Sequence, residues 1–259
     1  TVVPAAGVQH DEIRFTIATL VNDRAHYEKM RASFKAGGFD GQDCEYLYLD
    51  NSGGNGLSAF QGLNRLLDEA EGTYVVLCHQ DVRLLDDGRA KLETRLAELA
   101  QKAPHWALAG NAGGVGPGKL AVRISDPHGR DQHRGTLPAR VDSLDENFIV
   151  VRRAAGVSFS ADLTGFHFYG ADIVQVARVL GRSAWVVDFH LEHLSGGRKD
   201  ATFDHMEQTF RQKWSRALEA RWVQTTCSLV RLSGDMVGDL LGRASARPIA
   251  ALARRMRRQ

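Results

Sequence analysis

The pattern of hydrophobic and polar positions changes regularly along the first hundred residues. Short runs of β-branched and apolar residues are typical of strands buried on both faces of a parallel sheet, and they occur at residues 15–21, 45–49 and 74–78. Between and after these runs, apolar residues recur at helical spacing and predict helices at residues 26–36, 57–70 and 87–101. Alternating strands and helices with short connections predict a parallel α/β sheet.

The remaining residues show a less regular pattern. Further strands are predicted at residues 106–109, 147–151 and 184–189, and helices at 171–180 and 202–222. One or two amphipathic helices are predicted over residues 229–258. Residues 110–118 contain five glycines and a proline, and residues 126–138 are polar, so both are predicted to be loops. The chain is therefore expected to fold as an α/β domain with a C-terminal helical tail.

Composition agrees with a globular protein. The 259 residues are 43% hydrophobic and 25% charged, and the net charge of +2 gives no reason to expect a nucleic-acid partner. Uninterrupted apolar stretches long enough to span a bilayer do not occur, and the first residues lack a signal-peptide pattern. Cys44, Cys78 and Cys227 lie far apart without paired spacing. We therefore expect a cytoplasmic protein without a disulfide framework.

Polar residues follow each of the first three predicted strands. Asn22 follows the first strand, Asp50 and Asn51 follow the second, and His79-Gln80-Asp81 follows the third. Ligands of open α/β sheets bind beyond the carboxyl ends of the strands, so these residues predict a site for a nucleotide and its cation. His79 and Asp81 are two positions apart and point the same way in an extended chain, where they could bind one divalent cation together.

The glycine-rich segment after Asp50 has two interpretations. Gly53, Gly54 and Gly56 would let the backbone approach a nucleotide closely, but a plain turn explains the same residues. The chain contains neither GxGxxG nor GxxxxGK[ST]. A dinucleotide-dependent oxidoreductase and a P-loop enzyme are therefore unsupported.

Two sets of motifs occur in a fixed order over residues 14–214. The first half carries Asn22-Asp23, Asp50-Asn51-Ser52, Asn64, Gly72 and His79-Gln80-Asp81-Val82. The second half carries Leu144-Asp145-Glu146-Asn147-Phe148, Gly165-Phe166-His167-Phe168-Tyr169-Gly170-Ala171-Asp172, His193-Leu194-Ser195-Gly196-Gly197 and Lys213-Trp214. Together they resemble the GT-A glycosyltransferases of the bacterial family 2-like group, with a His-Gln-Asp-Val form of the Asp-x-Asp motif.

The resemblance implies a GT-A (Rossmann-like) fold, with a mostly parallel sheet flanked by helices. A leader at residues 1–12 would precede the glycosyltransferase domain at residues 13–222, and a basic amphipathic helical tail would follow at residues 223–259. The domain would divide into a nucleotide-binding half, residues 13–115, and an acceptor half, residues 116–222.

The same resemblance implies a metal-dependent, inverting glycosyltransferase of the hexosyltransferase type. It would move a sugar from a nucleotide-diphosphate sugar to a glycan or lipid-linked acceptor in bacterial surface polysaccharide synthesis. Asp81 and His193 would hold the divalent cation. His79 stands where the family usually has an aspartate, and a neutral histidine favours Mn²⁺ over Mg²⁺. The implied donor-binding residues are Asn22, Asp50, Asn51, Asn64, His79 and Gln80.

Catalytic and acceptor-binding residues are implied in the second half. Asp172 falls where the family has its catalytic base, with a helix cap as the alternative. His167 and Tyr169 alternate with apolar residues, which predicts acceptor contacts on one face of an extended segment. Asp145 and Glu146 are further acceptor-side candidates, with a solvated turn as the alternative.

Other interpretations remain open. A nucleotidyltransferase shares the layered sheet and the cation, and a non-catalytic module of the same fold could bind a sugar nucleotide or a glycan. The last 17 residues carry six arginines and no acid. Together with the apolar positions of the predicted tail helices, these arginines suit peripheral contact with an anionic membrane. Packing on the domain or on a partner chain, as in a homodimer, is the alternative.

Overall fold

A computed structural model of the protein describes residues 13–53, 56–197, 201–224, 226 and 229–256. Several predictions concern residues outside these ranges: the leader at residues 1–12, Gly54 and Asn55 of the glycine-rich segment, Cys227, and residues 257–259 of the tail. Cys44 and Cys78 are free thiols.

Regular alternation of strands and helices builds the first part of the fold. Its elements are β1 (Phe15–Val21), α1 (Arg24–Ala36), β2 (Cys44–Asp50), α2 (Ala59–Glu69), β3 (Tyr74–Cys78), β4 (Val82–Leu84) and α3 (Arg89–Lys102). β1 pairs in parallel with both β2 and β3, so the predicted parallel arrangement is confirmed. Asp23 caps α1 by accepting hydrogen bonds from the backbone N–H groups of Ala25 and His26, at 2.9 and 3.0 Å.

Antiparallel strands dominate the second part. Its elements are β5 (Trp106–Gly110), β6 (Ala112–Gly116), β7 (Lys119–Asp126), β8 (Gly129–Arg134), β9 (Ala139–Val141), β10 (Ser143–Leu144), β11 (Phe148–Arg152), α4 (Tyr169–Val179), β12 (Ser183–Val186) and β13 (Leu191–His193). The two predicted loops were wrong, because β6 and β8 both pair with β7. A Cβ on Gly113 would lie 2.3 Å from the carbonyl oxygen of Ser143. This glycine therefore permits close strand pairing rather than a turn.

Two sheets share the core of this region. The larger sheet has the strand order β2-β1-β3-β11-β5-β12-β9, in which only β11 and β9 run against the other five strands. The smaller sheet has the order β10-β6-β7-β13-β4, with β8 paired to β7. The predicted α/β fold is thus confirmed, with five of the seven strands of the larger sheet running the same way. Because β4 begins just after β3 ends, the smaller sheet starts at the polar edge of the larger one.

The chain divides into two compact units, Thr1–Met206 and Glu207–Gln259. The division falls within α5 (Ala201–Ala217), and the second unit contains β14 (Arg221–Gln224), β15 (Leu229–Leu232) and α6 (Met236–Met256). β14 and β15 form an antiparallel hairpin, so the helix predicted for residues 221–222 and 229–232 was wrong. α6 packs closely on this hairpin, since a Cβ on Gly242 would lie 2.5 Å from the Cβ of Arg231. Among the described residues, none of the helices combines the length and apolar character needed to cross a bilayer.

Candidate functional site

A cavity of about 250 Å³ lies at the carboxyl ends of β1, β2 and β3. Its apolar wall is formed by Leu20, Ala59, Leu63, Leu77, Cys78 and Phe166, and its polar wall by Asn22, Asn51, His79, Gln80, Asp81, Glu146, Tyr169 and Ser195. Residues from all three strand ends therefore converge on one cavity, as the sequence predicts.

Two histidines and one aspartate form a tight cluster at this cavity. The Nδ1 atom of His79 lies 3.2 Å from Nε2 of His193 and 4.0 Å from Oδ1 of Asp81. The Nε2 atom of His193 lies 3.4 Å from the same carboxylate oxygen. The structure thus brings together the two predicted metal ligands, Asp81 and His193, with His79 as a third candidate.

Strand pairing brings the distant parts of this cluster together. β13 pairs antiparallel with β4, and this register places His193 opposite Val82. The backbone N–H of Leu194 also donates to the carbonyl oxygen of Asp81 at 3.1 Å. His193 is therefore the last residue of a strand in the smaller sheet, and this strand begins after the strand predicted at residues 184–189.

Tyr169 determines which nitrogen of His79 faces the cluster. Its hydroxyl donates its single hydrogen to the carbonyl oxygen of Glu146 at 3.1 Å, and it lies 2.6 Å from Nε2 of His79. In the tautomer that carries its hydrogen on Nε2, His79 donates to this hydroxyl, and the Nδ1 lone pair faces His193 and Asp81, as metal binding requires. A hydrogen bond of this kind orients a histidine that binds a metal.

The titration behaviour of the cluster suits metal binding. Burial and the neighbouring His193 lower the pKa of His79 to about 4, so this imidazole is neutral near pH 7. Burial alone would raise the pKa of Asp81, but hydrogen bonds from His193 and Ser195 hold it below its usual range. A neutral imidazole and an ionised carboxylate are the forms that coordinate a cation.

The donor atoms of the cluster fit a divalent cation. All three lie within 4.8 Å of one another. In a tetrahedral site with ligands at about 2.0 Å, neighbouring donor atoms lie about 3.3 Å apart, which is close to the two shorter separations here. Two imidazole nitrogens and one carboxylate oxygen suit a transition metal better than Mg²⁺, which prefers oxygen ligands.

Glu146 is a second ionisable residue of the cavity wall. The backbone N–H of Gly170, in the first turn of α4, donates to its Oε1 atom at 3.3 Å. Burial outweighs this hydrogen bond and raises the pKa of Glu146 to about 8. A Cβ on Gly170 would lie 2.2 Å from the carbonyl oxygen of Leu144, so a larger residue would displace α4 from this position. The glycine therefore keeps Glu146 beside the helix N-terminus.

Asp172 lies elsewhere, although it belongs to the same helical turn. Its side chain is fully buried, with 0% of its surface exposed. Its Oδ2 and Oδ1 atoms accept hydrogen bonds from the backbone N–H and the hydroxyl of Ser160, each at 2.8 Å. This placement is at odds with the predicted catalytic base, because a base must reach the acceptor hydroxyl and Asp172 does not line the cavity.

The residues predicted to bind the donor divide into two groups. Asn22, Asn51, His79 and Gln80 line the cavity. Gln80 also connects β3 to the start of α1, since its Oε1 atom accepts from the backbone N–H groups of Asn22 and Asp23 at 2.9 Å.

Asp50 and Asn64 belong to the second group and do not line the cavity. Asp50 is exposed, and its carboxylate accepts from the backbone N–H of Ser52 at 2.9 Å. The side chain of Asn64 exchanges two hydrogen bonds with the backbone of Phe159, at 3.0 and 2.8 Å. Asn64 therefore holds the segment that carries Ser160, the partner of Asp172.

The predicted acceptor-binding residues do not share one face of an extended segment. Tyr169 begins α4 and is buried, and the preceding Phe168 has a φ of 65°, in the left-handed region. The ring of His167 contacts that of Phe203, with ring centroids 5.4 Å apart. Asp145 is exposed and accepts from the backbone N–H of Asn147 at 3.0 Å, as in a simple turn. Of the four candidates, only Tyr169 and Glu146 reach the cavity.

Ser195 and Phe166 are among the cavity residues that were not predicted as site residues. The hydroxyl of Ser195 lies 3.0 Å from Nε2 of His193, and the ring of Phe166 lines the cavity while remaining 54% exposed. Ser195 is two positions from His193, the same spacing as between His79 and Asp81. Residues two positions apart in an extended chain point the same way, so this spacing could have identified Ser195 as a site residue.

Comparison with known proteins identifies a relative of nearly the same length. The protein described as "ATP synthase subunits region ORF 6" from Fuscovulum blasticum is 36% identical over 240 residues. The match covers 90% of this chain and 96% of that protein. The chain belongs to the family of this protein. Its description states no activity, and no protein-family model matches the chain.

Solved structures identify the fold of this ORF 6 family member. The mannosyltransferase PcManGT from Pyrobaculum calidifontis, in complex with GDP-Man and Mn²⁺, superposes with a TM-score of 0.53 at 12% identity, over 79% of this chain and 64% of that one. TarS from S. aureus, in complex with UDP-GlcNAc, gives a TM-score of 0.44 at 11% identity, over 72% of this chain and 60% of that one. The fold is the GT-A type, with its sheets flanked by helices.

Proposed function

We propose that this protein is a metal-dependent, inverting glycosyltransferase that uses a nucleotide-diphosphate sugar. The supporting observation is the cluster of His79, Asp81 and His193 at the carboxyl edge of a GT-A sheet, beside a cavity with amide groups. PcManGT binds GDP-Man and Mn²⁺ in the same fold. The proposed transfer is of a hexosyl group to a glycan or lipid-linked acceptor, in the synthesis of a bacterial surface polysaccharide.

His79, Asp81 and His193 would hold the divalent cation, which supplies positive charge for the diphosphate leaving group. We propose Mn²⁺ rather than Mg²⁺ because two of the three donor atoms are imidazole nitrogens. Asn22, Asn51 and Gln80 would bind the donor from the cavity wall, and residues 13–115 would form the nucleotide-binding half of the domain.

Glu146 is the proposed catalytic base, in place of Asp172. Its carboxylate would accept the proton of the acceptor hydroxyl while that oxygen bonds to the anomeric carbon and the bond to the diphosphate breaks. Attack and departure on opposite faces of the sugar invert the anomeric centre, so one carboxylate is sufficient. The raised pKa of Glu146, about 8, is close to the value at which a general base is most effective near neutral pH. Residues 116–222 would form the half of the domain that binds the acceptor.

The donor site is tested by thermal unfolding with Mn²⁺, alone and with UDP, GDP or dTDP. We expect one nucleotide to raise the melting temperature in the presence of Mn²⁺, because ligand at a hundredfold its Kd adds about 2.7 kcal/mol of stability. The rise should be absent in Asp81→Ala and in His193→Ala. Asp68→Ala, an exposed aspartate on α2, is the matched control and should retain it.

Outcomes of this experiment separate the proposal from its alternatives. If no nucleotide raises the melting temperature, or if Asp81→Ala retains the full rise, the metal-bound donor site is wrong. Nucleotide binding without sugar transfer to any glycan or lipid-linked acceptor would favour a non-catalytic module. Release of diphosphate from a nucleoside triphosphate would favour a nucleotidyltransferase.

A further inference from the structure

One face of α6 exposes large apolar side chains. Met236, Val237, Leu240 and Leu241 are 89%, 67%, 68% and 62% exposed. At 100° per residue these four positions fall within an arc of about 140°, so they form a single apolar stripe. The opposite side of the helix, at Gly242, packs on Arg231 of the hairpin. Within the part of the chain that the structure describes, nothing covers the stripe.

The unit that carries this stripe is strongly basic. Residues 207–259 contain eleven lysines and arginines against four acidic residues, a net charge of +7. Residues 1–206 carry a net charge of −5, which is why the whole chain is nearly neutral. A charge asymmetry of this size attracts polyanions to one unit only.

We propose that α6 binds the surface of an anionic lipid bilayer, with Met236, Val237, Leu240 and Leu241 inserted among the headgroups. An apolar stripe on a basic helix is the pattern of helices that lie in a membrane interface. A nucleic acid would use the charge but not the apolar stripe. A second copy of this chain would cover the stripe, but it would also bring together two units of net charge +7. An anionic bilayer would bind both the apolar stripe and the positive charge of this unit.

Flotation of the full chain with vesicles tests this binding. We expect it to bind phosphatidylcholine vesicles that contain about 30% phosphatidylglycerol at least tenfold more tightly than pure phosphatidylcholine vesicles, and to weaken as salt screens the attraction. Leu240→Glu/Leu241→Glu should weaken this binding at least tenfold. Val179→Glu is the matched control, because Val179 is an apolar helix residue that is 74% exposed in the other unit.

Three outcomes would overturn the proposal: equal or absent binding to the two vesicle types, binding unchanged in Leu240→Glu/Leu241→Glu, or loss of binding in Val179→Glu. Sedimentation equilibrium of the free protein tests the second copy. A dimer abolished by Leu240→Glu/Leu241→Glu would assign the stripe to that contact instead. Leu240→Ser/Leu241→Ser removes the apolar side chains without adding charge. Its circular dichroism spectrum shows whether a loss of vesicle binding comes from a loss of folding. None of these measurements depends on the proposed sugar transfer.

Discussion

Two carboxylates next to the first turn of α4 have opposite surroundings. Asp172 lies in the core, and Ser160 donates hydrogen bonds to both of its oxygens at 2.8 Å. Glu146 lies in the cavity wall and receives a backbone hydrogen bond from Gly170 at 3.3 Å. The hydrogen bonds from Ser160 make Asp172 part of the stabilising core, whereas burial raises the pKa of Glu146 to about 8 despite its backbone hydrogen bonds.

This difference shows what a motif position can and cannot assign. The order of motifs places an acidic residue near the start of α4, but which acid reaches the substrate depends on where the backbone donors point. Ser160 lies 12 positions before Asp172 and is held by Asn64, through the backbone of Phe159. A contact of that kind depends on the assembled fold, so the two acids are distinguished only in three dimensions.

The largest effect is expected for Glu146→Gln. This change keeps the shape of the side chain and removes the proton acceptor, so kcat/KM for sugar transfer should fall by roughly 100- to 10,000-fold. Nucleotide binding with Mn²⁺, measured by thermal unfolding, should be retained. Full transfer activity in Glu146→Gln would exclude this residue as the base.

Asp172→Ala should change stability rather than chemistry. It leaves the backbone N–H and the hydroxyl of Ser160 buried without their acceptor, which costs about 3 kcal/mol of unfolding free energy, measured by urea denaturation. The exposed Asp68→Ala is the control and should stay within about 0.5 kcal/mol of the wild type. If Asp172→Ala folds but loses as much transfer activity as is expected for Glu146→Gln, then Asp172 acts in the reaction and its role is not only structural.

Local sequence patterns predicted the part of the larger sheet that contains β1, β2 and β3. β1, β2 and β3 end where the apolar runs end, and Asp23 caps the helix after β1. These features depend on the preferences of neighbouring residues, so periodicity and capping residues reveal them. The convergence of Asn22, Asn51 and His79 on one cavity followed from the parallel pairing alone.

The smaller sheet could not be predicted, because its strands depend on partners distant in the chain. β6 is rich in glycine and β8 is polar, and each becomes a strand through pairing with β7. His193 reaches Asp81 by the pairing of β13 with β4. Neither local propensity nor periodicity encodes such pairings, so a resemblance could name His193 as a ligand but not its strand.

The pH dependence of stability should also distinguish Glu146. Its folded-state pKa, about 8, lies above the value near 4.3 of a glutamate in an unfolded chain. Between these values the folded protein retains a proton that the unfolded chain has released, so this residue lowers stability as pH rises. Relative to the wild type in EDTA, Glu146→Gln should therefore become more stable by about 2 kcal/mol between about pH 6 and about pH 7.5. A constant difference between the two proteins would contradict the raised pKa.

The smallest effect is expected for Tyr169→Phe, which removes the hydroxyl that holds the Nε2 hydrogen of His79. The ring remains, so the fold should be kept, but His79 loses the hydrogen bond that directs Nδ1 toward Asp81 and His193. Loss of such an orienting hydrogen bond weakens metal affinity about tenfold, which titration of Mn²⁺ by electron paramagnetic resonance would measure. Tyr46→Phe is the matched control, because its hydroxyl also donates to a backbone carbonyl, that of Phe39 at 2.7 Å, away from the cluster. Equal Mn²⁺ affinity in the two variants would show that Tyr169 does not orient the ligand.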